Sequence, residues 1–504
     1  MSKKSALVAL IVVLLLATVV RLPFLSSRSL WFDEAVTWRL MLFPLPEAAK
    51  RAAEDVHPLF YYFVLRLWTF PTRLQAKPLS LETLRLPSVI FSVLTAAVIF
   101  QLARLLFRSR WTGILAALLF SFNAFQVQYA TEARMYTLAT LLLVTATISF
   151  WHALHTRNRY QREKRLFRFA LPLAALLHTH YFSLLSVAAL GLVGIKHFLP
   201  AFLRHPIQTW RKVNFRAVMG GFSLALLLFL PWLPFFLAQR AQVKEQYWVA
   251  PLHRWTIPET IAKLWVSAPT GIDRGLAAAF TLATLLILWI VWRRGKSLGD
   301  QIALALFCGP LFFAFLISLR TPLFETRFFV LAGIGLILLL ARACALLSRR
   351  NLWGMAAVVI MLAGLGQSWY VLDIPSRPGV RGAAAYLRQK QAENVVVSSS
   401  FVYFPLAFHL HCPLPPKPCA GGENLRLYAP GGLLHFTGKP VVVEAEMVGN
   451  QIFQRSELWV VDTTGFGQQP LKPPPTYRKI SSKKFREVYP HQGEIIVNHY
   501  LRKR

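Results

Sequence analysis

The chain has 504 residues, 55% of them hydrophobic and only 15% charged, an apolar content that exceeds what a soluble core needs and excludes one large soluble domain. Lys and Arg outnumber Asp and Glu by 56 to 22, a net charge of +34. Most of that excess lies in short gaps between apolar stretches, with no nucleic-acid module beside it, so membrane orientation explains it and nucleic-acid binding is not expected.

Lys3 and Lys4 precede an apolar run from Ala6 to Val20. No small-x-small cleavage site follows, and with Leu22 to Leu25 the stretch suffices for about 30 Å of hydrocarbon, which predicts an uncleaved anchor. A polar and aromatic segment, 26–85, leads to apolar runs near 87–107, 111–129 and 136–154. The gaps alternate in character: Arg104, Arg108 and Arg110 make one basic, the gap around Glu132 is mixed, and Arg157 to Arg168 holds six basic residues against one Glu. Such alternation marks alternate sides of a membrane. The stretch 169–203 is too long for one helix, and His178, Thr179 and His180 predict a hairpin within it. Further runs near 217–236, 275–292, 301–319, 328–347 and 352–370 keep Arg204, Arg211, Lys212, Arg216, Arg293, Arg294, Lys296, Arg349 and Arg350 on the basic side.

The expected fold is therefore an all-α polytopic membrane region of about eleven transmembrane helices over 1–370, followed by a small α/β domain over 371–504. An odd number of crossings from a cytoplasmic amino terminus puts that domain outside. Within it, Val380 to Lys390 reads as helix, and Val395–Val397, Val441–Val443, Leu458–Val461 and Ile495–Val497 as strands. No repeat of fixed period is found. Of four cysteines, Cys308 and Cys344 fall in apolar runs as packing residues; Cys412 and Cys419 can bridge in an oxidising compartment.

On this topology the acidic and amphipathic residues gather in the outer loops. The first carries Trp31, Phe32, Asp33, Glu34, Ala35 and Thr37. Two adjacent carboxylates among aromatics at a membrane surface suit a general base or an anion-repelling specificity site, although a solvated loop with incidental acids has the same text. Farther on, Pro58 and an aromatic-rich stretch through Tyr61 and Trp68 predict an interfacial helix, with His57 as its cap or as a site residue. The second outer loop offers Gln128, Tyr129, Glu132, Arg134 and Tyr136, and a later one Arg320, Glu325, Arg327 and Phe328. Their arginines either snorkel to headgroups or fork onto a phosphate. His57, Glu132, His178 and His180 are the residues that would have to converge on a metal; no ordered ligand set demands one, and a divalent ion is an unsupported option.

The order Leu30-Trp31-Phe32-Asp33-Glu34-Ala35, His57-Pro58-Leu59-Phe60-Tyr61-Tyr62, Glu132-Ala133-Arg134-Met135-Tyr136, His178-Thr179-His180-Tyr181-Phe182 and Glu325-Thr326-Arg327-Phe328-Phe329 resembles the GT-C glycosyltransferases, in particular the group of protein O-mannosyltransferases and the bacterial lipid A aminoarabinose transferase. The likeness covers about 1–370. It implies transfer of a sugar from a polyprenyl-phosphate donor to a lipid, glycan or protein acceptor at the outer face of the membrane, with inversion and no nucleotide-sugar site; no cofactor is predicted. By the same resemblance Asp33 would bind or deprotonate the acceptor hydroxyl, Glu34 would orient it, and Glu132 would be a second acid. Arg134 and Arg327 would meet the lipid phosphate, with His57, Tyr61, Tyr136 and His180 lining the substrate. The soluble end has no module associated with protein mannosylation, and the loop 237–273, with Gln246, Tyr247, Trp248 and Pro251, follows the family only loosely. A bacterial inner membrane is the expected location. A transporter of lipid-linked or anionic solutes is the alternative, and an assembly platform built on the outer domain a third; clean spans without internal repeats weigh against transport.

Overall fold

In hydrocarbon a chain can satisfy its own N–H and C=O groups only as helix or closed barrel, and the long apolar runs here are helical throughout. The structure is a computed structural model that describes residues 1–74, 78–245, 249–268, 271–371, 377–413, 417–429, 442–465, 470–487 and 493–503. Gln246, Tyr247 and Trp248 of the expected loop, and Val441, lie outside the described residues. The chain divides into two compact units: the first comprises Met1–Pro23, His57–Tyr61 and Leu86–Ser368, and the second Phe24–Val56, Tyr62–Arg85 and Trp369–Arg504.

Among the described residues nine helices are long and apolar enough to cross a membrane: Lys3–Phe24, Leu81–Phe107, Tyr136–Leu154, Ser183–Arg204, Val213–Ala241, Arg274–Arg294, Leu298–Ser318, Thr326–Leu346 and Arg350–Ser368. The pair Arg110–Phe122 and Ala124–Ala130, bent by 62°, brings the number to ten when counted as one broken span. Asn123 sits at the break, where its side chain accepts from the Gln126 N–H and donates to the carbonyls of Leu264 and Trp265. The eleventh expected span is the helix Arg159–Leu177. Its first ten residues carry five basic side chains, so its apolar length is too short for it to count by composition. The hairpin is present, with Ser183–Arg204 following a turn at His178–Phe182.

Helix Val330–Leu346 is buried along nearly its whole length. At Gly335 a Cβ would collide with the backbone of Leu306 and Phe307, so glycine is what lets this helix approach Leu298–Ser318 closely. The same helices share an ion pair, Arg342 Nε to Asp300 Oδ1 at 2.6 Å. Arg21, buried at the end of the first span, donates to Ser92 Oγ at 2.9 Å and to the Ser121 carbonyl at 3.0 Å.

Among the described residues of the second unit six strands form one mixed sheet: β1 (Asn394–Val397), β2 (Asn424–Tyr428), β3 (Met447–Val448), β4 (Glu457–Thr463), β5 (Tyr477–Arg486) and β6 (Glu494–Arg502), in the order β3-β2-β1-β4-β6-β5. Pairings among β1 to β4 are parallel, whereas β6 runs antiparallel to β4 and β5. The helix Gly379–Gln389 precedes β1, and a second helix, Ser400–His409, follows it. Val396, Leu458 and Val460 from one face pack with Ile452, Leu471 and Tyr477. The expected strands around 395, 458 and 495 are present. The one expected over 441–443 is not: Val442 and Val443 lead instead into a 3-10 turn at Glu444–Glu446, whose Glu446 carboxylate accepts from the Val443 N–H. Cys412 and Cys419 are joined in a disulfide.

Candidate active site

In the first unit the helix Ala124–Ala130 gives way to a short turn before Tyr136–Leu154. That turn holds Glu132 and Arg134, 2% and 1% exposed, and the Arg134 N–H donates to the Glu132 carbonyl at 2.8 Å. Nη2 of Arg134 lies 2.7 Å from Nε2 of His57. A guanidinium only donates, so Nε2 of His57 accepts and the single proton of its neutral ring is on Nδ1. Burial holds the His57 imidazole well below its ordinary range, and the charges of Arg134, His180 and Arg327 add to the effect. His57 is therefore not the helix cap: the helix it precedes starts at Phe60, and the Phe60 N–H donates to the His178 carbonyl at 3.0 Å.

His180 is likewise kept neutral, pushed down to about 3 by burial and then by Arg134. The Tyr136 ring meets it edge-on at 5.7 Å. Phe182, two residues on, stacks on Phe328 at 3.9 Å, which ties the His178–Phe182 turn to the 3-10 turn Thr326–Phe329 bearing Arg327. The Arg327 guanidinium lies 6.0 Å from the centre of the Phe328 ring. Tyr61 is buried in the same unit. Four separated motifs thus bring His57, Arg134, Tyr136, His180 and Arg327 into one cluster of two guanidiniums, two neutral imidazoles and a phenol. Chemically it is a set of donors suited to a phosphate. The convergence of His57, Glu132, His178 and His180 on a metal does not form. His178 Nε2 lies 3.2 Å from the Leu228 carbonyl, and among the described residues no group of three His, Cys, Asp or Glu could hold an ion.

Asp33 and Glu34 belong to the second unit, in the first turn of the helix Phe32–Leu42. Phe32 and every residue from Glu34 to Met41 are buried, while Asp33 is partly exposed. Glu34 is closed into a fork with Arg85, 2.8 Å from Nε to Oε1 and 2.7 Å from Nη2 to Oε2. Arg85 also donates to the carbonyls of Leu25, Arg28 and Ser29 at 2.9 to 3.1 Å. This grip on Glu34 was not readable as a pair; the available signal was a lone cation at the start of an apolar helix, which needs a partner. His409 is another unforeseen contact: its Nε2 accepts from the Leu30 N–H at 3.2 Å, and burial pushes the ring down to about 3.

No protein-family model matches the chain, and no curated protein sequence does. Similar solved structures exist. ArnT from Cupriavidus metallidurans in the apo state has a TM-score of 0.60 at 12% identity, over 99% of this chain and 98% of that one. The same protein bound to undecaprenyl phosphate gives 0.57 at 13% identity over the same shares. The Archaeoglobus fulgidus oligosaccharyltransferase, in a complex with Zn and sulfate, gives 0.50 at 13% identity and covers 80% of this chain; this chain spans 61% of the length of that one. The chain has the GT-C fold, with an ArnT-like architecture along its whole length.

Proposed function

We propose that the protein is a membrane glycosyltransferase that moves a sugar from a polyprenyl-phosphate donor to an acceptor hydroxyl on a lipid, glycan or protein. The observation that carries this reading is the buried cluster of Arg134, His57, Tyr136 and His180; the fold likeness to a protein that binds undecaprenyl phosphate supports it and favours transfer over transport. Asp33, the partly exposed acid of an otherwise sunken helix turn, takes the proton of the acceptor hydroxyl. The hydroxyl oxygen bonds to the anomeric carbon from the face opposite the phosphate, the bond from that carbon to the phosphate oxygen breaks, and polyprenyl phosphate leaves with the electron pair. Arg134 and Arg327 stabilise the charge that develops on it, while the neutral imidazoles accept and donate hydrogen bonds without adding charge of their own. Glu34 acts on the helix rather than on the substrate, through Arg85, and Glu132 is a second acid beside Arg134.

The reaction is assigned to the extracytoplasmic face of a bacterial inner membrane, with 1–370 as the membrane part and 371–504 as an outer domain. The alternation of basic gaps and the Cys412–Cys419 disulfide support this orientation. The test offers purified protein a panel of polyprenyl-phosphate sugars with membrane extract and compares wild type with Asp33→Asn. Transfer by wild type and a loss of at least about 10²-fold in the variant are expected; equal transfer by both removes Asp33 from the mechanism.

A further inference from the structure

The helix Phe32–Leu42 is eleven residues long and its N-cap, Trp31, supplies no side-chain hydrogen bond. A helix of that length is marginal by itself, so its position depends on what surrounds it. Within the second unit the surroundings come largely from the distant carboxyl-terminal segment. Phe32 packs on Phe401 with ring centres 4.3 Å apart, and Trp38 meets the edge of Phe408 at 5.4 Å. Both partners belong to the helix Ser400–His409. Just before the helix, Leu30 donates to His409 and the Arg381 guanidinium donates to the carbonyls of Ser26 and Ser27.

Near its other end Arg39 forms an ion pair with Glu446, each 1% exposed. The Glu446 carboxylate also accepts from Tyr403 Oη at 3.1 Å and from the Val443 N–H at 2.9 Å. Three donors, from Arg39, Tyr403 and Val443, thus meet at one buried carboxylate. Buried ion pairs of this kind add little net stability but set one register, because any slip leaves a charge unpaired. Asp33 is the residue that a slip of this helix would displace, and misplacement of a reacting group by about 1 Å can cost about 10²-fold in rate.

We propose that Arg39, Tyr403 and Glu446 are positioning residues for sugar transfer, fixing the helix that carries Asp33 onto the carboxyl-terminal segment. That segment is then a working part of the catalytic apparatus. The proposal rests on the assignment of Asp33 as the base. The prediction is a split between chemistry and donor binding, since the candidate phosphate ligands lie in the other unit.

The experiment uses the full chain in detergent and measures three quantities: kcat for transfer, Kd for undecaprenyl phosphate, and thermal unfolding. Glu446→Gln should lower kcat about 30- to 100-fold with Kd changed less than about twofold. Tyr403→Phe keeps the ion pair and should lower kcat by a few-fold, again at constant Kd; it carries the test if Glu446→Gln does not fold. Wild-type kcat in the folded variants, or a Kd that weakens in proportion to kcat, overturns the proposal. Asp33→Asn is run alongside. If Asp33→Asn is inactive and Glu446→Gln turns over normally, only the positioning role fails; wild-type transfer by Asp33→Asn removes the base and this proposal with it.

Discussion

Arg85 and Arg134 are both about 1% exposed, and they are held in opposite ways. Arg85 closes a two-point fork on Glu34 and donates to three main-chain carbonyls besides. Its environment is built around the guanidinium, and releasing it would strip a buried carboxylate of this fork. Nη2 of Arg134 meets a neutral imidazole instead. That contact satisfies the donor with a neutral acceptor, and a phosphate oxygen is a stronger acceptor for the same N–H. The two contacts differ in kind: the fork joins a guanidinium to a carboxylate, whereas the contact at Nη2 of Arg134 joins one to a neutral ring.

The sharpest way to break this contrast is to remove Glu34. Glu34→Gln should destabilise the protein by about 3–5 kcal/mol, seen as an early thermal transition in detergent. A single variant as stable as wild type would show that the fork is dispensable. Arg134→Lys keeps the charge and loses the planar fork; transfer should fall about 10²-fold, or about 2.7 kcal/mol in the barrier, while the unfolding temperature barely moves. Equal losses of activity and stability would place Arg134 with Arg85 as architecture.

A further effect comes from pH, and its smallest part is the share of a single ring. His57, His180 and His409 have imidazoles depressed from the ordinary 6.5 by burial, the last two to about 3. Below pH 6.5 the unfolded chain takes up protons that the folded chain refuses, so stability should be full above that pH and fall as pH drops towards about 3. Each ring contributes a slope of up to about 1.4 kcal/mol per pH unit. His409→Gln should lessen the slope by one ring's share; an unchanged slope would mean that His409 is protonated in the fold.

Much of the membrane region is legible in the sequence because lipid forces each crossing to announce itself as an unbroken apolar run, and the His178–Phe182 turn shows as a polar interruption. The five motifs likewise point to His57, Arg134 and His180 before any geometry is known. What escapes is pairing at long range. Nothing in the text couples Arg85 to Glu34, 51 positions away, or turns His57 from a cap into an acceptor for Arg134. The strand β5 carries Arg478, Lys479, Lys483, Lys484 and Arg486, which hides the alternation that marks buried strands, because it lies at the sheet edge where charge discourages pairing with other chains. The helix Ser400–His409 is masked by its internal Pro405 and its aromatic, strand-like composition.

The second unit is sewn from pieces far apart in the chain, and Arg39 waits 407 residues for Glu446. At a ribosomal pace of about 5–20 residues per second, roughly 20–80 s separate the emergence of one partner from the other. Until Glu446 has been made, the helix bearing Asp33 lacks the carboxylate that pairs with Arg39. A chain released before residue 400 would hold every candidate span found among the described residues, yet lack both the helix Ser400–His409 and Glu446, on which the helix Phe32–Leu42 rests.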